Sequence, residues 1–396
     1  MRCRQVVSID MVPDDVLLLI FDFCADEYQY SSSKKEIEAW WQTLVHVCRR
    51  WRTVVFGSPR RLNLRLACSP GTPVRDMLDV WPALPLAFST FNSATKGRLD
   101  SILAVPEHRH RVCQIRLLDL TGPQMGKLLA AMQVPFPELT DLVLQAPSGD
   151  WPVVPDSFLG GSAPLLRTFF SFRMPFPGLP NLFLSATHLV ELQLSKIPHS
   201  GYFSPEALLT ALSVCTNLCD LSLTFQSPRS CPDQARRRPP PPERTVLPVL
   251  TILFFAGAME YLEDLMAGID APLNDLCVCP FNDIVLDAPQ LVQFISRTPT
   301  LQSLEKADVS FMNVYARVVF SSQTPNYRQI RVDLPCNGSE WQASLLEPGR
   351  GLYVSCASPF QVGGPLHHVM ESSSDRQCRE YSMAGTLAPI YCCEEI

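Results

Sequence analysis

Apolar positions in the first seventy residues fall at three- and four-residue steps, the period of an amphipathic helix. Pro13-Asp14-Asp15 opens the first such run. Proline suits a first helical turn, and two carboxylates there complement the helix dipole. Over residues 16–24, Leu17, Ile20, Phe21 and Cys24 make one stripe, and Val16, Leu19 and Phe23 carry it round the cylinder. So wide an apolar surface exceeds what one small domain covers, which predicts a second contact. Residues 26–35 are polar and serine-rich and predict a loop. From Glu36 the period returns through Ile37, Trp40, Trp41, Leu44, Cys48, Trp51 and Val55, and Gly57-Ser58-Pro59 stops the helix. Arg49, Arg50 and Arg52 break that face and are expected to point to solvent or to an acidic partner.

Beyond Arg61 the pattern changes to a recurring triple: apolar, two residues, apolar, one residue, apolar. Clear copies are Ile115-Leu118-Leu120, Leu139-Leu142-Leu144, Leu189-Leu192-Leu194 and Leu218-Leu221-Leu223. Weaker ones are Leu166-Phe169-Ser171, Leu250-Leu253-Phe255, Leu273-Leu276-Val278 and Leu301-Leu304-Lys306. Their first positions are 24, 27, 23, 29, 32, 23 and 28 residues apart, close to the leucine-rich-repeat period of about 20–29. The long interval contains an insertion at 228–245. The alternating end of each triple predicts a short strand with its leucines turned inward. The segments between predict return helices: Met125, Leu128, Leu129 and Met132 share one face, Ser204-Pro205-Glu206 caps a helix carrying Leu208, Leu209 and Leu212, and Leu291, Phe294 and Ile295 repeat the idea. The expected fold class is α/β, a small helical module at 11–66 followed by a leucine-rich-repeat-like solenoid of parallel strands and return helices at 67–310. A doubly wound parallel sheet would share this periodicity. Leu142, Leu192 and Leu221 are expected to be buried on equivalent parallel strands. After about Ser310 the pattern fades, and 311–396 is expected to be irregular or partly disordered.

Two segments of the helical module carry a family resemblance. Val12-Pro13-Asp14-Asp15-Val16-Leu17-Leu18-Leu19-Ile20-Phe21 and Leu44-Val45-His46-Val47-Cys48-Arg49-Arg50-Trp51 resemble, in order, the two halves of the F-box pattern. Val12 stands where that pattern has leucine, and the stretch between the halves is longer and more polar than the usual middle helix. The resemblance implies a trio of helices that binds a Skp-type adaptor and, through it, a cullin. It also implies that Pro13, Val16, Leu17, Ile20, Phe21, Val47, Cys48 and Trp51 divide between adaptor contact and internal core. On that resemblance the chain is expected to be a non-catalytic substrate-recognition subunit of a ubiquitin ligase, its repeats holding an unidentified protein target. The alternatives are a repeat scaffold unconnected to ubiquitination, or a hydrolase or transferase with an unrecognised site.

Composition narrows the choice further. Apolar residues make up 46% of the 396 positions and charged residues 18%, enough to build a core and too apolar for wholesale disorder. A net charge of −6 argues against a broad basic face for nucleic acid. The longest apolar run, around 247–259, is too short and interrupted for a bilayer span. The beginning of the chain lacks an apolar signal pattern, so a cytoplasmic or nuclear protein with reduced thiols is expected and the sequon at Asn337 is read as chance. No phosphate-binding glycine loop, nucleophile elbow or HExxH motif occurs. Cys277 and Cys279 lack a second pair at zinc spacing, Cys392-Cys393 and His367-His368 form no recognised ligand framework, and Glu260, Glu263 and Asp264 share one helix, the usual sign of a solvated face. No catalytic residue, cofactor or metal is expected, nor a nucleic-acid or membrane partner. Arg236-Arg237-Arg238 followed by four prolines predicts an extended surface insertion.

Overall fold

A computed structural model of the chain describes residues 9–29, 34–69, 78, 80–90, 105–146, 152–227, 243–281, 288–311, 315–322 and 328–335. The arginine–proline run at 236–242 and everything after Pro335, including the Asn337 sequon and the His367 and Cys392 pairs, lie outside the described residues.

Three helices come first: α1 (Asp14–Gln29), α2 (Lys34–Val47) and α3 (Arg49–Gly57). The first runs through part of the segment expected to be a loop. The second and third were expected as one helix, and the chain breaks at Cys48. That residue is extended, and its sulfur accepts the Trp51 N–H at 3.4 Å. A thiol takes the place of the usual hydroxyl or carboxylate cap, so sequence preference gave no warning.

Strands then follow in chain order: β1 (Leu66–Cys68), β2 (Leu86–Ser89), β3 (Val112–Leu117), β4 (Asp141–Gln145), β5 (Thr168–Phe172), β6 (Glu191–Ile197), β7 (Asp220–Phe225), β8 (Thr245–Val246), β9 (Ile252–Gly257), β10 (Ile269–Asp270), β11 (Asp275–Pro280), β12 (Lys306–Phe311), β13 (Tyr315–Ser321) and β14 (Gln329–Pro335). Twelve of them form one sheet ordered β1-β2-β3-β4-β5-β6-β7-β9-β11-β14-β13-β12, and β8 pairs with β10 separately. Every pairing from β1 across to β14 is parallel; the last two, to β13 and β12, are antiparallel. Among the described strands the order never reverses between β1 and β11, so each new strand is laid beside the last.

Register explains why the apolar triples recur. Ile115, Leu142, Phe169, Leu192, Leu221, Leu253, Leu276 and Ile330 stand opposite one another across eight strands, and all are buried. Leu117, Leu144, Ser171, Leu194, Leu223, Phe255, Val278 and Val332 form the next row. One residue before each strand or at its start, a backbone N–H reaches back to the preceding unit: Thr140 to Cys113, Arg167 to Thr140, Val190 to Arg167, Cys219 to Val190, Thr251 to Cys219, Asn274 to Thr251 and Gln329 to Asn274, all at 2.8–2.9 Å. Main-chain groups alone make this ladder, which leaves the side chains at those positions free to vary.

Both ends of the repeat reading need correction. Ile115 pairs with Leu142, so the triple Ile115-Leu118-Leu120 is out of frame and Val112-Ile115-Leu117 is the true copy. At the far end, the strand led by Leu301-Leu304-Lys306 leaves the series. The place beside β11 goes to β14, where Ile330 and Val332 continue the apolar rows. Strand β12 becomes the outer edge, with Lys306 and Asp308 paired at 2.7 Å on an exposed strand. Charge on an edge suits it, because it discourages further strand addition. Residues 315–335, placed in the irregular region, therefore supply two regular strands.

Return helices cover the buried face of the sheet: α4 (Gly122–Ala131), α5 (Leu179–Phe183), α6 (Pro205–Leu212), α7 (Met259–Gly268) and α8 (Pro289–Arg297). The Gln124 side-chain oxygen accepts the Thr121 N–H at 2.9 Å, and the Ser204 hydroxyl accepts the Ala207 N–H at 3.2 Å, so α4 and α6 are capped locally. Helix α8 has only Ala288 at its cap. Glu263 of α7, expected on a solvated face, is instead buried and accepts the N–H groups of Gln290 and Leu291 at 2.8 and 2.9 Å. Arg297 of α8 replies by donating to the carbonyls of Met266 and Ile269, at 2.6 and 2.7 Å, and to Asp270. Each helix thus satisfies groups that the other leaves unpaired at its end.

Candidate functional site

The helical trio is assembled by contacts that fix which side of α1 faces inward. Leu17 and Phe21 are fully buried, and Phe21 meets the half-buried Trp51 edge-on at 4.9 Å. Trp41 packs edge-on against Phe56 and Trp81 and donates its indole N–H to the Arg65 carbonyl at 3.2 Å, which ties α2 to the start of β1. Arg50, expected to face solvent or a partner, turns inward: its Nε and Nη2 donate to Asp14 at 3.0 and 2.6 Å, and Nη2 also donates to the Val12 carbonyl. Arg52 donates to the Val45 carbonyl at 3.0 Å. Both arginines thus tie the module to itself, whereas Arg49 stays exposed at the start of α3.

With one side of α1 committed, the other stays bare. Val16, Leu19, Ile20 and Phe23 are all exposed, Leu19 at 60% and Phe23 at 73%. Their spacing of three, four and seven residues places them on one helical face. Val47 at the end of α2 and Met11 before α1 are exposed too. Of the eight residues singled out from the sequence, Pro13, Val16, Ile20 and Val47 are exposed, Leu17 and Phe21 buried, Cys48 and Trp51 half-buried. Leu19 and Phe23, the two most exposed of the stripe, were not among them. Helical spacing from Val16 alone would have found them.

The sheet has a second functional candidate in its open face. Between the buried rows, the alternate strand positions are open to solvent: half-buried Asp141, Thr168, Glu191, Asp220 and Asp275, with exposed Ile252 between the last two, in one row, and half-buried Arg116, Val143, Phe170, Gln193 and Ser222 in the next. Burial, together with Glu191 and Asp275 close by, pushes the Asp220 carboxyl up to about 6. The Arg173 guanidinium lies over the Phe172 ring at 5.1 Å, with the Lys196 amine at 5.8 Å. Such a face offers charge of both signs and aromatic surface over several strands. At its far end Cys277 and Cys279 meet Asp333, a residue too distant in sequence for spacing to have suggested it.

Among the described residues no helix is long and apolar enough to cross a membrane. No family model matches the chain, and a comparison with curated proteins finds no match.

Proposed function

We propose that this chain is a non-catalytic substrate-recognition subunit of a Skp–cullin–F-box ubiquitin ligase. In this reading α1–α3 are an F-box-like module that docks a Skp-type adaptor, and the strands after them are a leucine-rich-repeat-like solenoid whose open face holds a protein target. The observation that carries it is the bare stripe Val16, Leu19, Ile20 and Phe23 on a helix whose other side is already packed. Four large apolar side chains kept in water are costly to solubility, and each contributes about 1.5–3 kcal/mol when fully buried by a partner. Val16, Leu19 and Ile20 of the stripe fall within the first segment that resembles the F-box pattern, and Phe23 lies two residues beyond it.

The protein's contribution to ubiquitin transfer would be geometric. One end holds the adaptor, the other holds the target, and the rate gain comes from raised local concentration at the conjugating enzyme. Full-length protein co-expressed with a Skp-type adaptor should elute as a stable complex and should then recruit a cullin. Folded protein that elutes alone under the same conditions would leave a protein-binding scaffold without a ligase.

A further inference from the structure

Strands β11 and β14 run side by side in parallel, with Cys277 opposite Arg331. The Arg331 Nε–H donates to the Cys277 sulfur at 3.0 Å. The Cys279 sulfur, two residues on, lies 3.8 Å from Asp333 Oδ2, and its single proton goes either to that oxygen or to the Cys277 sulfur. Arg317 of β13 grips the same carboxylate through two N–H groups at 2.7 and 2.9 Å. Arg331 also lies 3.8 Å from Asp333. The two sulfurs and one Asp333 oxygen sit within 4.8 Å of one another. On the other flank, β9 places Phe254 and Ala256 opposite the two cysteines, so no charge enters from that side.

Charge balance decides what this cluster can be. With both sulfurs protonated, two guanidiniums face one carboxylate and one positive charge is left over. A cation placed beside the protonated thiols would add to that excess. Ionising one thiol removes it, and the guanidinium selects Cys277 by pointing at it. The hydrogen bond from Cys279 holds the Cys277 thiol below its usual range against the opposing effect of burial, with Arg331 assisting. Cys279 is driven the other way, by its bond to Cys277 and by burial, and keeps its proton. Cys215 shows the contrast: burial alone pushes it up to about 12, and its thiol donates to the Ala186 carbonyl.

We propose that Cys277 is a peroxide-reactive thiolate and Cys279 its resolving thiol, which makes the pair a reversible oxidation site on the sheet face. This goes beyond the ligase reading and does not depend on it. The Cys277 sulfur attacks one oxygen of a hydroperoxide; the S–O bond forms as the O–O bond breaks, and the other oxygen leaves as water or an alcohol after taking a proton. Sulfur is oxidised by two electrons and the peroxide is reduced. The Cys279 sulfur then displaces the new hydroxyl, its proton leaves with that oxygen as water, and a Cys277–Cys279 disulfide remains once β11 bends locally, since side chains two apart on a regular strand stand about 6.6 Å from each other. Because Cys277 is only 4% exposed and its neighbours are half-buried, the site takes a small hydroperoxide in preference to a bulky disulfide.

The test is hydrogen peroxide at limiting amounts on the full-length reduced protein, followed by alkylation and peptide mass mapping. The expected product is one peptide that has lost two hydrogens across Cys277 and Cys279, formed before half-exposed Cys219 is oxidised. In Cys279→Ser a cyclic diketone should trap sulfenic acid at Cys277. Arg331→Gln should slow oxidation at Cys277 about tenfold, with Arg331→Lys recovering most of the rate. If Arg331→Gln misfolds by circular dichroism, the wild type still decides: at neutral pH iodoacetamide should label Cys277 faster than the more exposed Cys219. Oxidation and labelling at Cys277 no faster than at Cys219 would overturn the proposal. So would stoichiometric zinc binding that Cys277→Ser abolishes, which would make the cluster a metal site instead.

Discussion

Helices α1 and α6 are both strongly apolar, yet the molecule treats them differently. In α6, Leu208, Leu209, Ala211 and Leu212 are all buried, because the helix lies between the sheet and its neighbouring helices and has no second apolar side left over. In α1, Leu17 and Phe21 are buried to the same degree, but Val16, Leu19, Ile20 and Phe23 on another side stay exposed, Leu19 and Phe23 most of all. In the repeat region the two apolar rows each find the next strand from β3 to β14, and exposed apolar residues such as Val153, Leu184 and Ile252 lie on different elements; in α1 they stand together on one face. A contiguous apolar patch left exposed is a common sign of an interaction site, and it is on this patch that the proposed adaptor contact rests.

Substitutions can break this contrast in a graded way. The largest effect should come from the repeat core. Leu192→Ala removes a fully buried side chain from the middle of the eight-strand row, and chemical denaturation should show a loss of about 2–5 kcal/mol. A loss under about 1 kcal/mol would mean the rows are not a continuous core. Glu263→Ala should come next. It strands the Gln290 and Leu291 N–H groups at the start of α8, at a cost of about 1–3 kcal/mol in the same measurement.

Asp220 gives a smaller, pH-dependent effect of opposite sign. Its carboxyl is raised from 3.8 to about 6, so the folded state resists its ionisation. The native protein has no penalty from this group below about pH 4, gathers it between about pH 4 and 6, and carries it in full above. Asp220→Asn should therefore stabilise the protein at pH 7.5 by about 1 kcal/mol after allowance for solvent screening, or about 2–4 °C in Tm, and do nothing at pH 4. Equal Tm values at both pH values would show that neither burial nor Glu191 and Asp275 raises it. The smallest effect on stability belongs to the bare stripe. Leu19→Asp or Phe23→Asp, at the two most exposed positions, should change unfolding free energy by no more than about 0.5 kcal/mol, since little packing is lost.

Much of the array was legible in the sequence because strand alternation and repeat spacing report directly on burial. Leu142, Leu192 and Leu221 follow from spacing and lie in one register. What periodicity could not show was frame and destination. Ile115 fits two overlapping triples, and only pairing with Leu142 chooses between them. Leu304-Lys306 reads like another repeat, but β14, with Ile330 and Val332, competes for the same edge and takes it. Strands β1 and β2 were missed as repeats although Leu64-Leu66 and Leu84-Leu86-Phe88 alternate; their apolar triples are too short to stand out. Long-range polar partners were beyond reach altogether. Nothing in the sequence near Glu263 points to the N–H groups of α8, and nothing near Cys277 points to Arg331, because a side chain's partner across a fold is set by register and not by local pattern. In the helical module, the excess of apolar positions was visible at once, while the inward turn of Arg50 onto Asp14 depended on how α3 crosses α1.

The central claim is that α1 carries a docking face distinct from the core. Isothermal titration of a purified Skp-type adaptor into the full-length protein tests it most directly, with Phe23→Asp and Leu19→Asp compared against the wild type. Tight binding by the wild type, lost by at least about a hundredfold in either variant while its melting curve stays unchanged, is the predicted result. Adaptor binding that survives both substitutions, or no binding by the folded wild type, would contradict the account.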